Sequence, residues 1–286
     1  MGVEATARVR IGELARRTGV SAELLRAWEQ RYGLLRPERS SGGFRLYSQA
    51  DEARVRRMTA LIASGVSASE AAARSTTDEP ITPDGAATDE LARELRAALG
   101  RFDAEGAHDA LDRLLATVSV EVAMAEVLVP LLHELGDRWE TGEATVGQEH
   151  FASNLVRGRL LGIARGWANG SGPAFVLACP PGEEHDLGLM MFGIALARRG
   201  ARVVFLGADT PVDTMVETVR DVEPEGVVIA VTRSVPLAAA ATELEAMARD
   251  VPVYVGGPGV DEGAVRGLGG RLLEGNPVAA ARALVA

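Results

Sequence analysis

The period of the apolar positions changes along this chain, and each change predicts a different architecture. From Ile11 to Arg74 the apolar residues recur at helical spacing in short pieces. Ile11, Leu14 and Ala15 share one face of a short helix, and Thr18-Gly19-Val20 makes a turn. Ser21 is placed as the N-cap of a helix from Ala22 to Arg31, with Leu24, Leu25 and Trp28 inward. A glycine-tipped hairpin follows in Arg31-Tyr32-Gly33-Leu34-Leu35-Arg36-Pro37 and Ser41-Gly42-Gly43-Phe44-Arg45-Leu46-Tyr47. Ser48 can cap a helix from Ala50 to Ser64, Gly65 breaks it, and Ser67 can cap a short helix to Arg74. The stretch from Thr76 to Gly85 is polar, with two prolines, and reads as a linker.

From Asp89 to about Ala168 the pattern is helical again. Leu91, Leu95, Ala98 and Leu99 fit one face, and Leu111, Leu114 and Leu115 another. Val120 to Leu135 is strongly apolar with Pro130 as a kink, and a helix from His150 to Ala164 follows after a gap, so a bundle is expected. Beyond residue 171 the period shifts to short continuous apolar runs. These are Ala174–Cys179, Arg202–Leu206, Gly226–Val231, Val251–Val255 and a shorter one near Arg271–Leu273. Helical patterns alternate with them at Leu187–Arg199, Val212–Asp221, Val235–Arg249, Asp261–Leu268 and Val278–Val285. That alternation predicts a parallel, doubly wound α/β sheet. The expected organisation is a helix-turn-helix head with a wing (1–75), a linker (76–88), a helical bundle (89–170) and an α/β domain (171–286).

Charge adds a functional direction. The net charge of −10 conceals an asymmetry: residues 1–75 hold 13 Arg against 8 acidic residues, and the remainder 17 against 32. A basic head on an acidic body fits nucleic-acid binding by the head. Every basic residue is Arg, whose planar fork suits phosphate and guanine. The single cysteine, Cys179, excludes a disulfide framework or a cysteine-rich metal site and fits a reducing cytoplasm. No apolar run reaches the roughly 18 residues of a membrane span, and no export segment is seen at the N-terminus, so no membrane partner is expected.

The chemistry concentrates after the first strand, in Pro180-Pro181-Gly182-Glu183-Glu184-His185-Asp186-Leu187-Gly188. A loop at the carboxyl end of a strand in an open α/β sheet is where ligands bind. Glu183 two residues before His185 suits an imidazole metal ligand whose other nitrogen is oriented by a carboxylate, and Gly188 would let a bulky ligand approach the backbone. The plain alternative is a loop histidine hydrogen-bonded to Glu183. No Gly-x-Gly-x-x-Gly follows the strand, which disfavours a dinucleotide site.

Two resemblances follow from these residues. Leu25-Arg26-x-Trp28-Glu29-x-Arg31-Tyr32-Gly33 with Gly43-Phe44-Arg45-x-Tyr47 resembles the MerR family of transcription regulators. By residue type, Glu23, Arg26 and Arg31 are candidates to face double-stranded DNA from the recognition helix, and Arg45 and Tyr47 to touch phosphates from the wing. Trp28 is read as core. The acidic-x-His-x-x-Gly stretch is similar to the signature of flavodoxin-like (Rossmann-like) cobalamin-binding domains, in which the histidine ligates cobalt from below. Trp139, then nine residues, then Glu149-His150 matches the CarH/LitR-type cobalamin photoreceptors. The fold class implied is multidomain: a MerR-type winged helix-turn-helix, a helical bundle, then a flavodoxin-like cobalamin-binding domain.

That resemblance implies His185 as the lower cobalt ligand, and Trp139, Val146, Glu149 and His150 over the upper face. It also implies cofactor contacts from Glu183, Asp186, Gly188, Thr232, Gly256 and Gly257. Packing at a bundle end is the alternative for Trp139, and a helix N-terminal pair favoured by the dipole is the alternative for Glu149-His150. The sequence departs from the family after the Trp, where Glu140 stands in place of a frequent histidine. His133, seven residues earlier, is a second upper-face candidate, though a surface or bundle histidine is its plainer reading. The implied function is a light-responsive repressor, not an enzyme, with adenosylcobalamin as chromophore and methylcobalamin as an alternative. The implied partners are an operator and further copies of the chain, as a dimer or tetramer dependent on light and cofactor. A cobalamin-sensing regulator without light response and a corrinoid methyl-transfer protein are the competing readings.

Overall fold

The computed structural model describes residues 9–40, 42–63, 67–76, 85–165, 167, 170, 172–260 and 262–285. The chain forms two compact units, Met1–Ala123 and Met124–Ala286. The helices of the expected bundle fall on both sides of that division.

In the first unit, α1 (Ile11–Thr18) ends on Gly19 at φ 71°, a left-handed cap that an L side chain disfavours. Ser21 accepts from Leu24 N and caps α2 (Ala22–Tyr32), which Gly33 closes in the same way. Strands β1 (Glu38–Arg39) and β2 (Arg45–Leu46) pair antiparallel as a wing, and Val9 bridges Tyr47 beside them, but the first strand begins after the expected Arg31–Pro37, whose Arg31 and Tyr32 end α2. Helix α3 (Gln49–Ala63) follows, with Ser48 Oγ accepting from Asp51 N. The next helix, α4 (Ala68–Thr76), packs on α3. Leu14, Leu25, Trp28, Leu34, Val55 and Met58 form the core.

Two expectations are corrected here. Leu24 is 43% exposed rather than inward, because α2 buries Leu25 and Trp28 at i, i+3 and turns the adjacent position outward. Tyr47 is fully buried rather than free for phosphate, and its hydroxyl donates to Glu29 Oε2 at 2.7 Å. A tyrosine carries a large apolar body with one polar tip, and here Glu29 satisfies the tip inside the core. Burial, together with Glu29, pushes its phenol well above the ordinary value.

The expected helix break at Gly65 and most of the linker lie outside the described residues. Helix α5 begins at Gly85, ahead of the expected Asp89, and runs to Gly100. It packs against α6 (Ala104–Thr117), capped by Asp103. A short α7 (Val120–Val122) then runs into π-helix over Ala123–Leu128 and into α8 (Val129–Glu140). Pro130 has no N–H for the carbonyl of Glu126, and the wide π turn lies directly before it, where an α kink was expected.

In the second unit, α9 (Val146–Ile163) starts four residues before the expected His150. Thr145 and Gln148 form a reciprocal capping box that the sequence pattern did not register. The α/β part follows as β3 (Ala174–Ala178), α10 (Leu187–Ala197), β4 (Arg202–Gly207), α11 (Val212–Val222), β5 (Gly226–Ala230), α12 (Ser234–Ala239), α13 (Ala241–Met247), β6 (Val253–Gly256), α14 (Glu262–Gly267), β7 (Arg271–Leu273) and α15 (Pro277–Leu284). All sheet pairs are parallel and the order is β4-β3-β5-β6-β7, the doubly wound flavodoxin-like arrangement. The helix expected over Val235–Arg249 is divided at Ala240, where ψ of 4° opens the turn. Every residue of β3 is buried, as is almost all of α10, which packs on β4, α9 and α15. That explains why both read as apolar without periodicity.

Asp51 stabilises the head from inside. It is fully buried and accepts from Arg36 N at 2.7 Å, from Ser48 N and Oγ at 2.8 Å, and from Arg54 at 2.7 Å. Burial alone would raise its carboxyl, but these donors hold it below the ordinary value. Asp51→Ala removes the buried acceptor shared by Arg54 and two backbone donors. It is expected to lower the stability of the head by about 3 kcal/mol, measured as the head's unfolding transition in urea by circular dichroism on the full chain.

Candidate functional site

Glu183 is the centre of the loops at the carboxyl edge of the sheet. Its side chain has no solvent exposure. Oε1 accepts from His185 N at 2.9 Å and lies 2.6 Å from His185 Nδ1. Oε2 accepts from Thr232 N at 2.7 Å and Thr232 Oγ1 at 2.8 Å. The Glu183 carbonyl accepts from Asp209 N at 2.9 Å, and Asp209 Oδ1 accepts from Gly182 N at 2.7 Å. The loops after β3, β4 and β5 are thereby tied to one another. Burial would raise the Glu183 carboxyl, yet the bonds from His185 and Thr232 outweigh it and hold it at about 2.

An ionised carboxylate only accepts, so Nδ1 of His185 carries the proton shared with Glu183. The bond to Glu183 raises the imidazole above its ordinary value against the opposing effect of burial, and the charge of Glu149 adds a smaller push upward. Nε2 has no hydrogen bond among the described residues, and the ring is 57% exposed. This is the tautomer and orientation a metal-ligand imidazole needs. No group of three or more His, Cys, Asp or Glu that could cage a metal occurs among the described residues. One oriented imidazole therefore fits a metal that arrives with its remaining positions already filled, as in a corrin ring.

The surrounding residues sort into distinct roles. Gly257, at φ 118°, has no room for a side chain, since a Cβ there would fall 2.0 Å from Val231 O. A Cβ at Gly259 would fall 2.3 Å from Arg233 N. The glycines after β6 thus let two loop backbones meet behind Thr232. Around Gly188 only Pro277 comes within 4 Å of an added Cβ, so that corner is open. Asp186 corrects an expectation. It is 4% exposed and forms an ion pair with Arg157 of α9 at 2.6 Å, so it faces the helix rather than a cofactor.

The residues expected over the upper face lie around the α8–α9 junction. Trp139 and Glu140 close α8, and Trp139 is 47% exposed rather than packed into a bundle end. Val146 opens α9 and is 54% exposed. Glu149 accepts from Ser153 Oγ at 2.6 Å and lies 3.6 Å from His150 Nε2. Its charge reaches His185. His133 and Glu140 are exposed, and no hydrogen bond or ion pair among the described residues joins them or Trp139 to the Glu183–His185 cluster. In the head, Glu23, Arg26 and Arg31 are exposed on α2, and Arg45 pairs with Glu29 at 3.0 Å. Arg157 and Asp209 were not singled out as site residues from sequence. Glu149, Ser153 and Arg157 recur every four residues, the one signal that could have found Arg157.

The fold and the site define a DNA-binding head joined to a cobalamin-binding module. A model of MerR HTH family regulatory proteins matches residues 9–74, and B12 binding domain models match 91–161 and 173–269. The HTH-type transcriptional repressor CarH of Myxococcus xanthus is 37% identical over 263 residues, covering 87% of this chain and 88% of that protein. The repressor CarA of the same organism is 37% identical over 260 residues, covering 89% and 88%. The monomethylamine corrinoid protein of Methanosarcina barkeri shares the fold over 69% of this chain and 98% of its own, with a TM-score of 0.60 at 17% identity. The chain belongs to the CarH-type family of cobalamin-binding MerR transcription regulators.

The Glu183 carboxyl has a folded value below its unfolded one, so its stabilisation is complete above pH 4.5 and is lost as pH falls toward about 2. Glu183→Gln is expected to destabilise the second unit by roughly 2–3 kcal/mol at pH 7. The gap to the wild type should narrow as acid is added across that window, followed by urea unfolding at stepped pH.

Proposed function

We propose that this protein is a light-responsive repressor that carries adenosylcobalamin as its chromophore. The observation that supports this most is the single imidazole nitrogen of His185, held ready by a buried Glu183 in a chain that also bears a DNA-binding head. The names of the CarH and CarA relatives support repression. Adenosylcobalamin, when bound, supplies a cobalt–carbon bond that light can cleave.

The chain's own residues do the rest. Glu183 keeps a proton on Nδ1 and so leaves the lone pair of Nε2 for cobalt. Thr232 fixes the second carboxylate oxygen. Trp139 and Val146, both exposed and apolar, cover the upper group and exclude water from it. Glu149 and His150 supply polar contacts on the same side. Residues 1–75 bind the operator, 89–170 cap the cofactor and 171–286 hold it. A response to light requires that the upper group interact differently with two arrangements of the cap. Association of cap-closed copies presents several heads to one operator and raises avidity without new DNA contacts. No helix among the described residues is long and apolar enough to cross a membrane, and the protein acts in the cytoplasm on DNA.

A second reading, cobalamin sensing without light, is favoured by Glu140, because a carboxylate replaces the imidazole the family often places after the Trp. Methylcobalamin is the chromophore's alternative upper form in either reading. Gel filtration and absorption spectra in the dark and after illumination, with adenosylcobalamin added, separate the two. A size change and loss of operator binding on illumination are expected, and a dark complex indifferent to light would refute the photoreceptor reading. Trp139→Ala should take up the cofactor yet no longer change size with light.

His185→Ala is expected to weaken cofactor binding at least tenfold and to alter the spectrum of the bound form. An unchanged spectrum and affinity would remove His185 as the ligand. Proton and cobalt compete for Nε2, whose proton is held more tightly than in a free histidine. Affinity measured by titration should therefore fall as pH drops below that raised value, by about tenfold per pH unit.

A further inference from the structure

We propose that Arg157 is a positioning residue for His185: it fastens α9 to the loop that carries the imidazole, so that seating of the cap helix and placement of the lower ligand are one event. The inference rests on the reading of His185 as the cobalt ligand. Asp186 is the next residue after His185 and sits at the start of α10, where its carbonyl accepts from Met190 N. Its side chain is 6% exposed, and the Arg157 guanidinium lies 2.6 Å from Oδ1. Oδ1 is buried and has no hydrogen bond of good geometry among the described residues, Arg157 included, so charge rather than hydrogen-bond alignment holds the pair. A buried carboxylate is costly to leave unpaired. Burial of Asp186 in this loop therefore depends on α9 being docked with Arg157 against it.

The stripe that brings Arg157 to this place is polar at every fourth residue. Glu149 bonds Ser153 one turn on, and Arg157 follows another turn later. Its first member acts on His185 through space, and its last grips the residue next to His185. Helices α9 and α10 pack on one another. Closure of the cap and orientation of the imidazole thus share one ion pair, which gives a physical route by which a change above the cofactor is felt below it.

The test uses the full chain loaded with cob(II)alamin and read by electron paramagnetic resonance. Histidine labelled with nitrogen-15 distinguishes a protein imidazole from the cofactor's own base. Arg157→Met and Asp186→Asn are each expected to weaken cobalamin binding about tenfold and to leave a fraction of the cobalt without the labelled nitrogen. Arg157→Lys should restore full ligation in part or whole. The double variant should be no worse than either single one, because the two changes remove one interaction. Full labelled ligation and wild-type affinity in Arg157→Met, or additive losses in the double variant, would overturn the proposal. Should Arg157→Met fail to fold, Asp186→Asn and Arg157→Lys carry the same comparison. If the wild type itself shows no labelled nitrogen, or His185→Ala retains it, the assignment of His185 is what fails.

Discussion

The carboxylate of Glu183 is the constraint on which the rest of the cofactor-binding edge depends. A charge with no solvent exposure must be met by donors, and here four of them come from two loops. Its own carbonyl recruits a third loop through Asp209. The sheet determines where these loops emerge, because β3 lies between β4 and β5 in the parallel order. Glycines at 257 and 259 then let the β6 loop approach where side chains would collide. One ionised group thus converts a set of loop ends into a rigid platform with a single nitrogen projecting from it.

Such a platform has little to offer a bare metal ion. Donor sets of three or four are needed to hold zinc, and no such set occurs among the described residues. Exposed Trp139 and Val146 are at odds with a protein whose other large apolar residues are mostly buried. A lone oriented imidazole and exposed apolar side chains both suit a large, partly apolar metal complex. The basic head provides the complementary clue: 13 of the 30 basic residues lie within the first 75.

Much of this was legible in the sequence, and the exceptions share a cause. Strand positions could be read to within two residues because buried parallel strands are uninterrupted apolar runs bounded by polar loops. The turn between α1 and α2 was equally clear from Gly19 and Ser21, whereas Gly33, placed in the hairpin by its pattern, closes α2. What spacing could not show was which polar residues meet across long separations. Thr232 is 49 positions from Glu183, and Asp186 finds its partner in a helix of a different layer. Periodicity also left a choice between adjacent apolar positions, so Leu24 was read as inward when the helix buries Leu25 and Trp28. Tyr47 was misread because a tyrosine in a basic wing looks like a phosphate contact until its hydroxyl is seen to be committed to Glu29.

The same device recurs in both units, and it follows from composition. The chain has no lysine, so every cation is a planar guanidinium able to reach a buried carboxylate and a second acceptor at once. Arg54 joins buried Asp51 to the Leu34 carbonyl in the head. Glu29 holds both Tyr47 and Arg45, and so ties α2 to the wing. Arg157 and Asp186 tie α9 to the loop that carries His185. In each case a carboxylate bridges two elements whose relative placement matters for binding, DNA at one end and cofactor at the other. Hydrophobic packing can slide by small steps at modest cost, whereas a buried charge loses most of its compensation when its partner moves. Joints of that kind hold the elements they join in one placement, because intermediate positions are disfavoured.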